Sequence, residues 1–346
     1  MQKKLLLIAV VLIGVMVAVP AILVSFDHDD PLDGKSPSDQ DEDISLNAGP
    51  EIKVYLTKEK KVKKIPMERY IRGVVAAEMP ADFHLEALKA QALAARTYIV
   101  DRLLRGDYED MKARGGKATK AYVTDTVDHQ VYLTDEQLKE KWGEDYETYS
   151  NRVNQAVKDT KGQVIHYKGK PIYAAFFSTS NGKTENSEDY FSTSYPYLRS
   201  VPSPWDKASP KYKDQKEFKL KEFTRRLTES TGKQISVPAS AGNGWIKVTE
   251  RTEGGQISKI QVGDQVFTGR QIREALDLSS ADFEWSLSNG QITLVTKGYG
   301  HGVGMSQWGA NLLANRGKKA KEIVRYYYQG VEVTQMNKKL ARKEKG

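Results

Sequence analysis

The chain of 346 residues contains no cysteine and five histidines. Without thiols it has no disulfide framework, no cysteine nucleophile and no thiolate zinc site. The histidines are scattered and none repeats at the spacing of metal ligands, so we predict neither a metal nor another cofactor. Catalytic chemistry would therefore have to come from carboxyl, hydroxyl, amide or basic side chains.

Charge is missing from residues 5–24, a run of twenty residues without Asp, Glu, Lys or Arg. A helix of this length spans the ~30 Å hydrocarbon core of a bilayer. Secretory signals usually have a shorter apolar run, so we expect an uncleaved transmembrane anchor over residues 5–25, after a cytoplasmic tip at residues 1–4. Lys3 and Lys4 precede the run, and the positive-inside rule then places everything after it outside the membrane.

The remaining charge is unevenly distributed. The formal net charge is +8, yet residues 27–43 contain eight acidic residues and one lysine. We expect residues 26–50 to form a flexible, self-repelling linker. The folded part is then strongly basic, which suits anionic wall polymers, although a basic surface that serves solubility is the alternative. A nucleic-acid role is disfavoured because it would require a cytoplasmic location.

The strand-like and helix-like patterns of the folded part predict a mixed α+β fold, with helices packed on an antiparallel sheet. A smaller α/β subdomain is expected as an insert, because a helix-like stretch at 215–231 and two strand-like runs around Gly254 and Gly255 interrupt the main pattern. A groove would separate the two units. The expected boundaries are a main domain at 51–205 and 286–335, an insert at 206–285 and a basic tail at 336–346.

Glu78 is the first candidate for a catalytic residue. In the helix predicted over residues 67–79, Ile71 and Val74 belong to an apolar stripe, and Glu78 follows them on the same face. An ionised carboxylate on a buried face is costly, and partial burial raises its pKa towards values that suit a general acid. A salt bridge to a neighbouring helix is the alternative role.

Two cations border the apolar stripe of the next helix, which we predict at about residues 84–104. Lys89 and Arg96 lie seven residues apart and share one semi-buried edge. Either they orient the Glu78 carboxylate and its substrate, or their charged heads extend outward into water.

A third candidate region combines polar donors with aromatic rings. Ser180, Asn181 and Tyr190 lie in a stretch of hydroxyl, amide and aromatic side chains. This combination suits sugars, which present hydroxyl groups around an apolar face. An ordinary strand and turn would contain the same residues.

The fourth candidate region is residues 298–310, where glycines occupy alternate positions. Such glycines allow backbone to approach a ligand closely, and Ser306 is a candidate cap for a helix that begins there. His301 is a candidate orienting group, with a purely structural role as the alternative.

These segments together resemble the SpoIID/LytB family, over roughly residues 50–335. The resemblance is carried by VVAAEMPADFHLEALKAQALAART (74–97), DTVDHQVY (125–132), FFSTSNGKTENSEDYF (176–191), PYLRSVPSPWD (196–206) and GYGHGVGMSQWGA (298–310). The Ala-Glu-Met-Pro and Gly-His-Gly-Val-Gly-Met-Ser-Gln motifs in this order are specific.

The resemblance implies lytic transglycosylase activity on peptidoglycan glycan strands from which stem peptides have been removed. Glu78, in Ala-Glu-Met-Pro, matches the family's catalytic residue. The residues that we expect to bind substrate or tune Glu78 are Lys89, Arg96, Ser180, Asn181, Tyr190, His301, Ser306 and Gln307. The resemblance also implies a membrane complex with a SpoIIP-type amidase and a SpoIIM-type membrane protein, which acts in the septal space during engulfment of the forespore.

Some members of the family carry a zinc site built from Cys and His. This chain has no Cys and retains only His129 in the corresponding region, so we predict no zinc. A wall-binding protein that activates a partner amidase without catalysis is the main alternative function. A simple glycan hydrolase is the second, and it would leave products without the anhydro ring.

Overall fold

The computed structural model describes residues 46–47, 49–237 and 242–336. The expected anchor, nearly all of the expected acidic linker and all but the first residue of the expected tail lie outside these residues. In the part of the chain that is described, no helix is both long enough and apolar enough to cross a membrane.

Helices and strands alternate irregularly along the chain. The helices are α1 Met67–Glu78, α2 Leu85–Arg105, α3 Glu109–Ala113, α4 Asp135–Trp142, α5 Tyr146–Asp159, α6 Glu188–Phe191, α7 Leu220–Thr231, α8 Gly269–Leu276, α9 Gln307–Ala314 and α10 Ala320–Tyr327. The strands are β1 Glu51–Leu56, β2 Lys61–Pro66, β3 Val123–Thr124, β4 Gln163–Tyr167, β5 Lys170–Pro171, β6 Phe176–Phe177, β7 Lys213–Lys219, β8 Ile246–Arg251, β9 Ile257–Val262, β10 Gln265–Phe267, β11 Phe283–Ser288, β12 Gln291–Lys297, β13 Met305–Ser306 and β14 Glu332–Gln335.

The main hydrophobic core is built around α2, whose small and branched side chains are buried on nearly all sides. Helices α1 and α5 pack on it, together with strand β4 and the C-terminal helices α9 and α10. Short antiparallel sheets, β1 with β2 and β14 with β4 and β5, close this core. The prediction of a mixed α+β fold with antiparallel sheets is therefore confirmed.

A second hydrophobic core is separate from the first and contains residues from Phe223 to Leu294. Strand β12 pairs with β11 on one side and with β7 on the other, so all three strands belong to this second unit. We therefore place the insert at residues 213–297, later at both ends than the sequence pattern indicated. The expected insert boundary at 285 would cut through β11 and would separate β12 from its partner β7.

The stretch at 215–231, which looked helical as a whole, begins as strand β7 and becomes helical only at Leu220. Polar residues dominate β7, and its side chains alternate only weakly between exposed and half-buried. Its extended conformation is stabilised by backbone pairing with β12, a long-range contact that local sequence does not encode.

The alternating glycines of residues 298–304 all adopt positive φ angles. At each of them a side chain would collide with the protein itself rather than with a ligand site: for example, a Cβ on Gly304 would lie 2.1 Å from the carbonyl oxygen of Ala175. These glycines therefore allow the segment to pack against the strand and turn at residues 175–185. The expected close approach to a ligand stays a prediction, since Gly300 also lines a cleft.

Gly304→Ala should destabilise the fold by about 2–3 kcal/mol, because it combines a strained φ of +81° with this backbone collision. Gly317→Ala is the matched control: its φ of +84° is nearly the same, but nothing lies within 4 Å of the added Cβ. We expect the control to cost only about 1 kcal/mol. Urea unfolding of both variants measures the difference, and equal losses would contradict the packing argument.

Candidate active site

Glu78 is the last residue of α1, and the chain turns into an extended conformation at Met79, directly before Pro80. The apolar stripe of α1 turns this end of the helix inward, so the Glu78 side chain is half-buried and faces a cleft. One carboxylate oxygen, Oε1, accepts a hydrogen bond of 2.7 Å from the backbone N–H of Val131. The carboxyl group is thus fixed by one donor and otherwise directed at the cleft.

Burial raises the pKa of Glu78 from its usual value near 4.5 to about 7. The Val131 hydrogen bond and the charge of Lys141 act in the opposite direction but do not overcome the desolvation. The position at the C-terminal end of a helix also disfavours a negative charge. At neutral pH, Glu78 therefore exchanges readily between a protonated and an ionised form, as a group that first donates and then accepts a proton requires.

The loop that supplies the Val131 donor is held by a network that sequence reasoning missed. His129 accepts from the backbone N–H of Thr124 through Nδ1 and contacts Asp110 through Nε2 at 2.7 Å. Asp110 in turn accepts two hydrogen bonds from Arg102. Burial, followed by the charge of Arg102, lowers the pKa of His129, so the ring is neutral and its Nε2 carries the proton that it donates to Asp110.

The cleft at Glu78 has a volume of about 640 Å³, a size typical of ligand sites. Its walls come from both units of the fold, since two arginines of α8 in the insert line it together with residues of the main body. The lining includes the side chains of Glu78, Asp128, Gln130, Tyr190, Phe191, Arg270, Arg273, His301 and Gln307.

Aromatic rings form one wall of the cleft, with His301 at their centre. The imidazole lies 5.1 Å from the ring of Tyr190, 5.4 Å from Phe191 and 5.6 Å from Phe177. Burial lowers the pKa of His301 to about 4, so this histidine is neutral and does not act as a proton donor at neutral pH. Its Nδ1 accepts from the backbone N–H of Val303, and the expected role of His301 as an orienting group stays a prediction.

Two amide groups in the lining have unsatisfied donors. The Nε2 atoms of Gln130 and Gln307 are both buried, and neither has a hydrogen-bond partner among the residues that the structure describes. Unpaired buried donors are costly, so such groups commonly serve a ligand. Here they suit the carbonyl and hydroxyl oxygens of a sugar. Gln307 was selected from the sequence, whereas Gln130 carried no signal of its own.

The structure brings together four of the residues selected from the sequence, namely Glu78, Tyr190, His301 and Gln307. Arg96 is not among the cleft residues: its guanidinium is fully buried and forms a two-pronged ion pair with Glu68. Arg96 was expected either to orient Glu78 and its substrate or to extend its charged head into water. The buried guanidinium does neither, because it is absent from the cleft lining and has no exposed surface.

Lys89 and the three serine and asparagine candidates also have partners away from the cleft lining. Lys89 pairs with Glu86 and Asp159, at 2.9 and 2.8 Å. Asn181 links the two units through its Nδ2, which donates to the carbonyl oxygen of Gly254 and to Asp282.

Ser180 and Ser306 both bond to one oxygen of the buried Asp206, Ser180 through its backbone N–H and Ser306 through its hydroxyl. Ser306 also accepts from the backbone N–H of Gly309, which confirms that it caps α9. In the described ranges, no group of three or more His, Asp or Glu side chains is arranged to hold a metal ion.

Lys141→Gln should raise the pKa of Glu78, because Lys141 is a nearby positive charge that favours the ionised carboxylate. The glutamine can still donate to the carbonyl oxygen of Ala76, as Lys141 does. We expect an upward shift of about half a pH unit, the size typical of a partly screened charge pair. NMR titration of the Glu78 carboxyl carbon measures it directly. Lys139→Gln, on the same helix but directed at Tyr146, should leave the titration unchanged.

Fold and site together define a mixed α+β protein with an aromatic cleft, in which burial raises the pKa of one carboxyl group to about 7. A profile of the family described as SpoIID, Stage II sporulation protein, matches residues 55–167. Stage II sporulation protein D of Bacillus subtilis is 46% identical over 304 residues, covering 86% of this chain and 84% of that protein. The protein of that name from Bacillus amyloliquefaciens is also 46% identical, over 84% of this chain and 80% of its own length.

The chain therefore belongs to the SpoIID family. A more distant relative is named "Amidase enhancer" and comes from Bacillus subtilis. It is 29% identical over 313 residues, which cover 76% of this chain but 40% of that longer protein.

Proposed function

We propose that the protein is a lytic transglycosylase that cleaves the bond between N-acetylmuramic acid and N-acetylglucosamine in peptidoglycan strands stripped of stem peptides. The observation that carries the proposal is Glu78, a carboxyl group with a pKa of about 7 that faces a cleft walled by aromatic rings. Aromatic faces stack on the apolar faces of pyranose rings, and the unpaired amides of Gln130 and Gln307 suit sugar oxygens.

In the proposed reaction, protonated Glu78 donates its proton to the glycosidic oxygen, and the bond from that oxygen to C1 of the muramic acid breaks. The 4-hydroxyl of N-acetylglucosamine leaves. The 6-hydroxyl of the same muramic acid residue then attacks C1 and closes a 1,6-anhydro ring. The Glu78 carboxylate takes the proton released by that hydroxyl, so the enzyme returns to its starting state and no water is consumed.

One carboxyl group is enough for this reaction, whereas most glycoside hydrolases use a pair of them. Asp128 is the other carboxylate among the described residues of the cleft lining, and it is largely exposed and ion-paired with Arg114 at 2.6 Å. A carboxylate engaged in this way is poorly placed to activate a water molecule. This arrangement favours the internal hydroxyl over water as the attacking group.

We further propose that the protein acts in wall remodelling during sporulation, from a membrane anchor at residues 5–25 and on the outer side of that membrane. An amidase of the SpoIIP type would first remove the stem peptides from the glycan strands, in a complex that includes a SpoIIM-type membrane protein. The relative named "Amidase enhancer" favours a second candidate function, the stimulation of such an amidase without glycan cleavage.

Mass spectrometry of reaction products separates these functions. The full chain is incubated with amidase-treated peptidoglycan, and lytic cleavage should release disaccharides with a 1,6-anhydro end. Hydrolysis would give products heavier by one water molecule. If the chain releases no glycan fragments but accelerates peptide release by an added amidase, the enhancer function holds and the transglycosylase proposal fails.

A further inference from the structure

Helix α8 of the insert contributes two arginines to the lining of the cleft that also contains Glu78. Its start is fixed by a reciprocal cap, in which Thr268 accepts from the backbone N–H of Gln271 and the Gln271 side chain accepts from the backbone N–H of Thr268. Arg270 and Arg273 follow, three residues apart and so on one side of the helix. Both line the cleft.

The charge of Arg270 is already balanced. Its Nε donates to Glu274 at 2.7 Å, and one terminal nitrogen donates to the backbone carbonyl oxygen of Tyr190. The guanidinium also lies 4.4 Å from the centre of the Tyr190 ring. Arg270 therefore serves to hold the insert against the aromatic wall.

Arg273 differs: among the described residues its one hydrogen-bond partner is the carbonyl oxygen of Leu278, which accepts from Nε at 3.3 Å. In the described part of the chain, no carboxylate pairs with its two terminal nitrogens. The guanidinium group is half-buried. Its positive charge lowers the pKa of His301, and among the causes of that shift it is second only to the burial of the imidazole. A half-buried guanidinium without an anion is costly and is suited to bind one.

Arg273 also borders a second chamber of about 330 Å³, which shares Tyr190, Arg270, Arg273 and His301 with the cleft. Three acids line this chamber, namely Glu185, Glu188 and Asp189, and in the described part of the chain none of them forms a salt bridge with Arg273. Glu188 is engaged with Arg199. Burial raises the pKa of Glu185 to about 7, so this group is only about half ionised at neutral pH, and its Oε2 has no hydrogen-bond partner among the described residues.

We propose that Arg273 binds the free carboxylate of the 3-O-lactyl group of a muramic acid residue, and thereby selects strands whose lactyl group is not amide-linked to a peptide. The inference rests on the proposed function for the identity of the glycan. A carboxylate receives two parallel hydrogen bonds from a guanidinium. A lactyl amide offers one neutral oxygen and extends into a peptide, so it loses most of this interaction.

Binding by the full-length Glu78→Gln protein tests the proposal without turnover. Calorimetry compares a peptide-free muramic acid oligosaccharide with the same oligosaccharide whose lactyl carboxylates are converted to methyl amides. We expect about tenfold tighter binding of the carboxylate form at low salt, which corresponds to one partly exposed charge-assisted interaction. The preference should decrease as salt is added.

Adding Arg273→Gln should reduce the preference to about onefold, whereas Arg273→Lys should keep part of it. Arg225→Gln, which removes an exposed arginine that is paired with Glu222 elsewhere in the insert, should leave the preference intact. An unchanged preference in Arg273→Gln, or none in the parent, overturns the inference. If the preference depends on Arg273 but wild-type protein releases no anhydro products, the proposed catalysis fails and the carboxylate site stands.

Discussion

Glu78→Gln is expected to reduce glycan cleavage by at least about a thousandfold while leaving the protein folded. Glutamine has nearly the same shape and can still accept the hydrogen bond from the backbone N–H of Val131, but it cannot donate a proton to a glycosidic oxygen. Release of anhydro disaccharides per minute measures the effect. Glu78→Asp, which keeps the acid but withdraws it from the cleft by one methylene group, should retain a small fraction of the activity.

Glu78→Gln should also change the pH dependence of the free energy of unfolding, which can be measured without substrate. The pKa of Glu78 is about 7 in the folded protein and near 4.5 when it is unfolded, so the folded state binds the proton more tightly between these values. The contribution of Glu78 to the free energy of unfolding is therefore fully present below about pH 4.5, where the carboxyl group is protonated, and is lost as the pH rises through 7. Glu78→Gln should therefore leave stability unchanged at pH 4 and raise it by roughly 2–3 kcal/mol at pH 8.

Activity of the wild-type protein should decline above about pH 7, as the proton donor becomes ionised. Two results would contradict the role of Glu78. One is a Glu78→Gln protein that keeps more than a tenth of the activity. The other is a gain in stability that is the same at pH 4 and pH 8, which would mean that this carboxyl group does not titrate near neutrality.

Periodicity was sufficient to place Glu78, because a carboxylate four residues after Val74 lies on the same apolar face of any regular helix. The chemical consequence, a raised pKa, followed from burial alone. The donor from Val131 could not be foreseen, since it comes from a loop held by His129 and Asp110, and neither residue shows by spacing that it meets the other.

Periodicity was not sufficient for Arg96. It predicted a semi-buried edge position, whereas the side chain is fully buried, and it gave no information about the partner. That partner, Glu68, precedes Glu78 by ten residues on α1, a separation of about 15 Å along the helix axis. Only the packing of α1 on α2 decides which of the two acids a cation on α2 meets.

The position of the insert against the cleft could not be predicted from the sequence pattern either. Its strand β7 has little pattern of its own, and Arg273 lines the cleft from α8, a helix that packs on α7 and β9 within the insert. A residue whose position depends on the contact between two separately folded cores carries no local signal. The sequence motifs therefore identified one wall of the cleft and missed the other.

Arg96→Met should destabilise the protein by about 3–5 kcal/mol, the second large effect that we expect. The substitution leaves the buried Glu68 carboxylate without its two-pronged partner. It also removes hydrogen bonds to the carbonyl oxygens of Val157 and Gln163. Urea unfolding measures the loss. Arg105→Met, which breaks an exposed pair with Asp101 on the same helix, should cost no more than about 0.5 kcal/mol.

The double variant Glu68→Met with Arg96→Met separates the buried charge from the lost hydrogen bonds. It should recover part of the loss, because no carboxylate is then left unpaired, but not all of it, since the two carbonyl oxygens remain without their donor. The folded fraction of Arg96→Met should bind glycan with an unchanged KM, because the guanidinium has no exposed surface. If Arg96→Met had normal stability but a raised KM, Arg96 would bind substrate, and the buried ion pair with Glu68 would not explain why the residue is there.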